Sequence, residues 1–218
     1  MNEPVIRIVD FGMGNLFSVR QACSLCGLHA ELADSPAEVQ EADAVILPGV
    51  GAFADAMSTL KDKGLDVAIQ RFVATGRPLL GICLGMQLLM DRSHEFGVHN
   101  GLGIIPGDVR KIPEGTGVKV PQVGWNRVVK AIHHGGADAW EGSLLSGLPD
   151  GFFMYFVHSY HVVPVKRSVV LADTEYGTLC FCSALRAGNI HAFQGHPEKS
   201  GPLGLKIYQN FAKAVKNG

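Results

Sequence analysis

Residues 78–87 read Pro78-Leu79-Leu80-Gly81-Ile82-Cys83-Leu84-Gly85-Met86-Gln87. The first five are apolar, with no polar face, and so predict a short strand covered on both sides. A helical pattern follows, from Leu84 to about Arg92. Between strand and helix stands Cys83, flanked two residues away on either side by glycine. This is the shape of a nucleophile elbow, with a thiol where a hydroxyl often sits. Gly81 and Gly85 carry no Cβ and so permit the close backbone approaches of such a turn. A cysteine at a helix N-terminus is biased toward thiolate. The Leu84 amide is expected to point at the space in front of the sulfur, as an oxyanion donor. The same run also suits a buried structural cysteine in a tight turn.

The alternation extends upstream. Val5 to Val9 and Ala30 to Ala33 are short strand signals, and Ala44 to Leu47 is fully apolar. Helical patterns lie between them: Leu16 to Cys26, stopped by Gly27; a segment opened by the Ser35-Pro36-Ala37-Glu38 capping box; and Ala52 to Ala74. Apolar strands separated by helices predict an α/β fold, with a mostly parallel central sheet flanked by helices. In such a sheet the turns after Val9, Leu47 and Ile82 fall along one edge, where ligands bind. The second half changes character. Strand signals at 103–111, 118–129, 152–163, 169–172, 178–185 and 190–193 predict an antiparallel extension, and 203–215 a C-terminal helix. Nothing marks a linker, so 1–218 is read as a single domain.

Composition narrows the class. With 19 basic and 20 acidic residues among 218, the net charge is −1. That leaves no electrostatic footprint for nucleic acid and no polybasic membrane patch. The longest stretch free of charged residues, Gly151 to Val165, is shorter than the ~18 residues of a spanning helix. No signal-peptide pattern opens the chain, and five cysteines do not suggest a disulfide framework, so a cytosolic location is expected. The 27 glycines exceed the usual ~7% without any repeat, as in a chain with many tight turns.

A thiolate nucleophile needs a base, and the base an orienting group. Gln194-Gly195-His196-Pro197-Glu198 offers both, since Pro197 biases His196 to an extended conformation that lets His196 and Glu198 face the same side. Leu47-Pro48-Gly49-Val50-Gly51-Ala52 lies at a strand end on the edge shared with Cys83. Its glycines let backbone amides turn inward, so Val50 or Gly51 is the candidate second oxyanion donor.

Together, the Cys83 elbow, the Pro48–Gly51 loop and the late His-Pro-Glu resemble the triad-type class I glutamine amidotransferases. The runs Val9-Asp10-Phe11-Gly12-Met13-Gly14-Asn15-Leu16, Pro121-Gln122-Val123-Gly124-Trp125-Asn126 and Phe156-Val157-His158-Ser159-Tyr160 are similar to the glutaminase subunits of imidazole glycerol phosphate synthases. The resemblance spans nearly the whole chain. It implies Cys83 as nucleophile, His196 as general base then acid, and Glu198 as orienting carboxylate. Gln87 and the backbone at His158, Ser159 and Tyr160 would hold the amino-acid end of glutamine. Pro121 to Asn126 and the Asn15 turn would face a (β/α)8 cyclase partner in a heterodimer. It also implies weak glutaminase activity that rises when cyclase and its ligand bind. No cofactor and no metal are expected. Gly12 and Gly14 lack the third glycine of a dinucleotide fingerprint. Cys23 and Cys26 sit on an apolar helix face with no second pair at zinc spacing. Cys180 and Cys182 read as structural, and His133-His134 as a solvated loop. Competing readings are the glutaminase of pyridoxal phosphate synthase, a cysteine peptidase on a similar scaffold, and a catalytically silent binding module. The Gly-Val-Gly turn and the Gly-Trp-Asn run argue against the first, and the intact Cys83, His196 and Glu198 set against the last.

Overall fold

A computed structural model describes residues 3–115, 117–132 and 140–217; His133 and His134 lie outside them. The elements run β1 (Ile6–Val9), α1 (Leu16–Leu25), β2 (Ala30–Ala33), α2 (Pro36–Glu41), β3 (Ala44–Leu47), α3 (Phe53–Asp62), α4 (Leu65–Ala74), β4 (Leu79–Ile82), α5 (Leu84–Leu88), β5 (Met90–Ser93), β6 (His99–Asn100), β7 (Ile105–Lys111), β8 (Gln122–Lys130), β9 (Phe152–His158), β10 (Tyr160–Pro164), β11 (Val170–Tyr176), β12 (Leu179–Ala187), β13 (Ile190–Phe193) and α6 (Gly201–Asn217).

One sheet has nine strands in the order β2-β1-β3-β4-β13-β12-β11-β8-β9. Its first five strands are parallel. From β13 to β9 every pairing is antiparallel. The parallel half is sandwiched as its apolar strands require. Val45 and Leu47 join Phe53, Leu60, Ile69 and Phe72 of α3 and α4 in one core layer. Ala44 and Ile46 turn the other way, onto Val19 and Cys23 of α1 and Ile207, Tyr208 and Phe211 of α6. Alternate side chains thus feed two cores, and the period of two along each strand is hidden only because both faces are apolar.

Besides shifts of up to four residues at strand ends, as at Gln122 where 118 was expected and Tyr176 where 172 was, three departures from the sequence reading change an element. The single helix expected over 52–74 is two, because Gly64 sits at φ +68 between α3 and α4, a left-handed conformation that glycine adopts without steric cost. The helix after Cys83 ends at Leu88, not near Arg92. Leu88, Leu89 and Met90 are all buried, and a continuous apolar run does not distinguish helix from strand by period. Met90 instead opens β5, part of a separate four-stranded sheet, β10-β7-β5-β6, that the sequence did not announce. Finally, 152–163 is not one strand. It turns a corner at Ser159, leaving β9 on β8 in the large sheet and β10 on β7 in the small one. Among the described residues no helix is long and apolar enough to cross a membrane.

Candidate active site

The register of the parallel strands builds the site. Phe193 of β13 is paired with Ile82 of β4, and Leu47 of β3 with Gly81. The residues that follow, Cys83, Gln194 and Pro48, therefore emerge side by side at one sheet edge. The Cys83 N–H continues the pairing by donating to the Phe193 carbonyl at 2.7 Å. Cys83 itself has φ +53, a region most side chains avoid. Its neighbours explain how the turn is held. A Cβ on Gly85 would lie 1.8 Å from the Leu47 carbonyl oxygen, and one on Gly81 3.1 Å from Ala192 Cβ. The elbow is accommodated because both flanking positions lack side chains.

From the turn after β13, His196 comes near the sulfur and Glu198 holds the far side of its ring. The His196 N–H donates to Tyr155 O at 2.8 Å, and its ring packs against the Tyr155 ring. His196 Nδ1 pairs with Glu198 Oε1 at 2.8 Å, with the two side chains 2% and 1% exposed. His196 is extended, as Pro197 predicts, but Glu198 lies in a 3-10 turn, Pro197–Lys199. The two side chains meet through that turn and not along an extended strand. Two more glycines allow the packing: a Cβ on Gly195 would meet Met154 Sδ at 2.4 Å, and one on Gly204 of α6 the Pro197 carbonyl at 2.1 Å. Burial alone would push the His196 imidazole down; the Cys83 sulfur and the Glu198 carboxylate outweigh it and hold it up. Nε2 is buried without an aligned hydrogen bond, although the sulfur is near enough to act on the ring. Contact without alignment suits a resting pair that tightens around substrate.

The oxyanion donors are arranged differently from the expectation. The Leu84 N–H is not free in front of the sulfur: it donates to Gly49 O at 3.3 Å. The Gly49–Val50 peptide thus turns its carbonyl toward the Leu84 N–H, and its own N–H points the opposite way. Gly51 sits at φ +113, a conformation that strains any residue with a side chain, and an added Cβ would also displace the flexible Met13 Cε, 2.6 Å away. Val50 is exposed. The Asn15 turn lies alongside, with Asn15 Oδ1 accepting from Ser18 N as the cap of α1.

Of the residues assigned to substrate, Gln87 is buried, and its Nε2 donates to Tyr160 O at 2.9 Å and to Gln194 Oε1 at 3.2 Å. Among the described residues no hydrogen bond reaches its Oε1. His158 is turned into the core against Phe156 and Phe181. Its Nδ1 meets Tyr160 O at 2.9 Å, which ties the ring to the Ser159 corner. The Ser159 carbonyl accepts from Ile112 N. Two residues were missed. Gln194 donates to Cys83 Sγ at 3.7 Å; its place immediately before Gly195-His196 was the available signal. Glu95 accepts from Phe53 N at 2.6 Å, bringing a carboxylate beside the Gly51 loop, and nothing in its local sequence marks it. A cleft of about 1070 Å³ opens at the other ends of β4 and β13, beside Pro78, Asn189 and His191, away from these residues.

Burial pushes His158 and His191 down to about 4. Both are then neutral when folded, while the unfolded chain takes up protons from about 6.5 downward. Stability is expected to fall as pH drops from 6.5 toward 4, by up to about 1.4 kcal/mol per pH unit for each histidine. Urea unfolding at pH 7, 6 and 5 measures this. The slope should flatten in His191→Gln, and equal stability at pH 7 and 5 in the parent protein rejects it.

A strand-end thiol over a parallel sheet, with a buried imidazole–carboxylate pair near it, is the group of side chains that this α/β fold assembles at one sheet edge. The glutamine amidotransferase class-I family model matches residues 7–215, and the chain belongs to that family. More particularly, it is 47% identical over 212 residues to the imidazole glycerol phosphate synthase subunit HisH of Moorella thermoacetica, covering 97% of this chain and 96% of that protein. Likeness to HisH of Aquifex aeolicus is 46% over 213 residues, covering 96% of each. Among solved structures, a glutamine amidotransferase superposes with a TM-score of 0.74 at 18% identity, over 97% of this chain and 99% of that one. A glutamine amidotransferase from Thermotoga maritima gives 0.68 at 13%, over 99% and 100%. These two share the fold.

Proposed function

We propose that the protein is the glutaminase subunit of an imidazole glycerol phosphate synthase, working in the cytosol as one domain of a heterodimer. The observation that carries the chemistry is the buried line of Cys83 sulfur, His196 imidazole and Glu198 carboxylate. The thiolate of Cys83 attacks the side-chain carboxamide carbon of glutamine, forming a C–S bond and an oxyanion. His196 donates a proton to the leaving nitrogen, the C–N bond breaks, and ammonia departs. Water, giving its proton to His196, then attacks the thioester; the C–S bond breaks and glutamate leaves. Glu198 keeps the Nδ1 proton in place, so that Nε2 is the working nitrogen.

Ammonia passes to a (β/α)8 cyclase that makes imidazole glycerol phosphate and AICAR in histidine biosynthesis. The face that supports docking lies on β8 and β9 beside the site. There Val123, Trp125 and Phe153 are exposed, Trp125 meets Tyr155 edge-on, and Lys199 Nζ lies over the Tyr155 ring. Exposed apolar side chains grouped in this way mark an interaction surface.

The Leu84–Gly49 bond supplies a reason for the low intrinsic activity expected above. A donor already engaged cannot stabilise an oxyanion, and the loss of one donor costs on the order of 10²–10³ in turnover. Release of that bond on partner binding would restore it. Glutamate release should therefore be slow for the isolated chain and rise by a factor of that order with cyclase and its ligand, alongside glutamine-dependent ring formation. Equal rates with and without the partner reject the coupling. Absent ring formation rejects the partner.

A further inference from the structure

We propose that Gln194 holds the Cys83 sulfur in its charged, attacking state through a side-chain N–H, and that Gln87 and the Tyr160 carbonyl fix the direction of that N–H. The inference rests on Cys83 being the nucleophile.

The orientation follows from donors and acceptors alone. A carbonyl only accepts, so the Gln87 group 2.9 Å from Tyr160 O is its Nε2. The same Nε2 faces Gln194 at 3.2 Å, so the facing Gln194 atom is its Oε1. The Gln194 atom left toward Cys83 Sγ, at 3.7 Å, is then Nε2, a donor. Flipping Gln194 would place N–H against N–H on one side and oxygen against sulfur on the other. Gln194 is fully buried, so solvent cannot relieve a wrong orientation, and a buried unpaired donor is costly.

The sulfur's other surroundings make this donor count. The Val157 carbonyl, 3.9 Å away, is an acceptor and favours the protonated thiol. The Leu84 N–H is engaged by Gly49. His196, with Glu198 behind it, is the charged group that faces the sulfur from the turn after β13. His158, at the end of β9, is neutral through burial. Among the described residues Gln194 is the amide donor bonded to the sulfur, and a hydrogen bond to the charged form favours that form. Because Tyr160 opens β10, the chain Tyr160–Gln87–Gln194–Cys83 also ties the nucleophile to the small sheet, on the strand that follows the Ser159 corner.

Gln194→Met keeps the length and removes the donor. Iodoacetamide alkylation of Cys83, followed by mass of the Cys83 peptide across pH 5–9, reads the thiolate directly. At pH 7 the variant should alkylate about tenfold more slowly, its profile displaced upward by about one pH unit. Gln87→Met, which frees the Gln194 amide to turn, should move the profile the same way by less. A Gln194→Met profile that superposes on the parent overturns the proposal. Should the variant not fold, the parent chain decides: the Gln194 side-chain amide resonances must shift in step with Cys83 ionisation, and amide signals indifferent to it overturn the proposal. Alkylation does not depend on turnover, so a Cys83→Ala protein that still released glutamate would reject the nucleophile assignment separately.

Discussion

Cys83→Ala abolishes glutamate release, with turnover falling by roughly 10⁴–10⁶ as for other lost triad nucleophiles, and leaves the fold standing. The backbone argument for an intact fold is direct. Cys83 sits at φ +53, and alanine carries the same Cβ, so the strain of the elbow is unchanged. The hydrogen bonds of the sulfur are long, 3.7 Å with Gln194 and 3.9 Å with Val157, and the His196 ring beside it is not aligned with it. No other cysteine is placed to substitute. Burial pushes the Cys23 thiol up to about 12 and the Cys182 thiol higher still. The Cys26 and Cys180 thiols are also raised by burial, and neither has an imidazole–carboxylate pair beside it. A glutamate assay and a thermal melt on the same preparation test both halves. Undiminished release would place the nucleophile elsewhere. With the cyclase present, ring formation fed by added ammonia should survive, because the partner's chemistry does not need the thiol.

The second large effect is on stability. Gly85→Ala is expected to lose about 3 kcal/mol or more, at or beyond the upper end of the usual cost of overpacking. The added Cβ would stand 1.8 Å from the Leu47 carbonyl oxygen, with Leu47 C at 2.8 Å. Both obstacles are backbone of the central strand β3, which is buried on both faces and cannot withdraw. Gly81→Ala provides the comparison. Its nearest obstacles, Ala192 Cβ at 3.1 Å and Leu89 Cδ1 at 3.2 Å, are side-chain atoms, so its loss should be clearly smaller. Urea midpoints of the two variants measure the difference. A Gly85→Ala protein as stable as its parent would mean that α5 can move away from β3, and the elbow would then be far looser than described.

Local chemistry made much of this protein readable in one dimension. Short fully apolar runs such as 44–47 and 79–82 have few folded solutions, and the parallel half of the sheet followed from them. Cys83 between two glycines and the pair His196 and Glu198 around Pro197 were visible because each motif is complete within a few residues. Glu95 and Gln194 were not, since a hydrogen bond to Phe53 or to Cys83 is a fact about distant backbone and leaves no local pattern. The same holds for the split at Gly64 and the early end of α5, where burial on all sides erased the period that separates helix from strand.

By itself, then, the chain's order of residues determined the class of fold and the family, and it singled out Cys83, His196 and Glu198 as the candidate residues for the chemistry. Tertiary structure alone decided that β13 pairs with β4 in the register that sets Gln194 beside Cys83, that β9 and β10 part at Ser159 into two sheets, and that the Leu84 amide is held by Gly49. The physical reason is range. Apolar period, glycine sterics and proline bias act within a few residues, whereas strand order and the partner of a given N–H depend on which surfaces bury each other once the whole chain has collapsed.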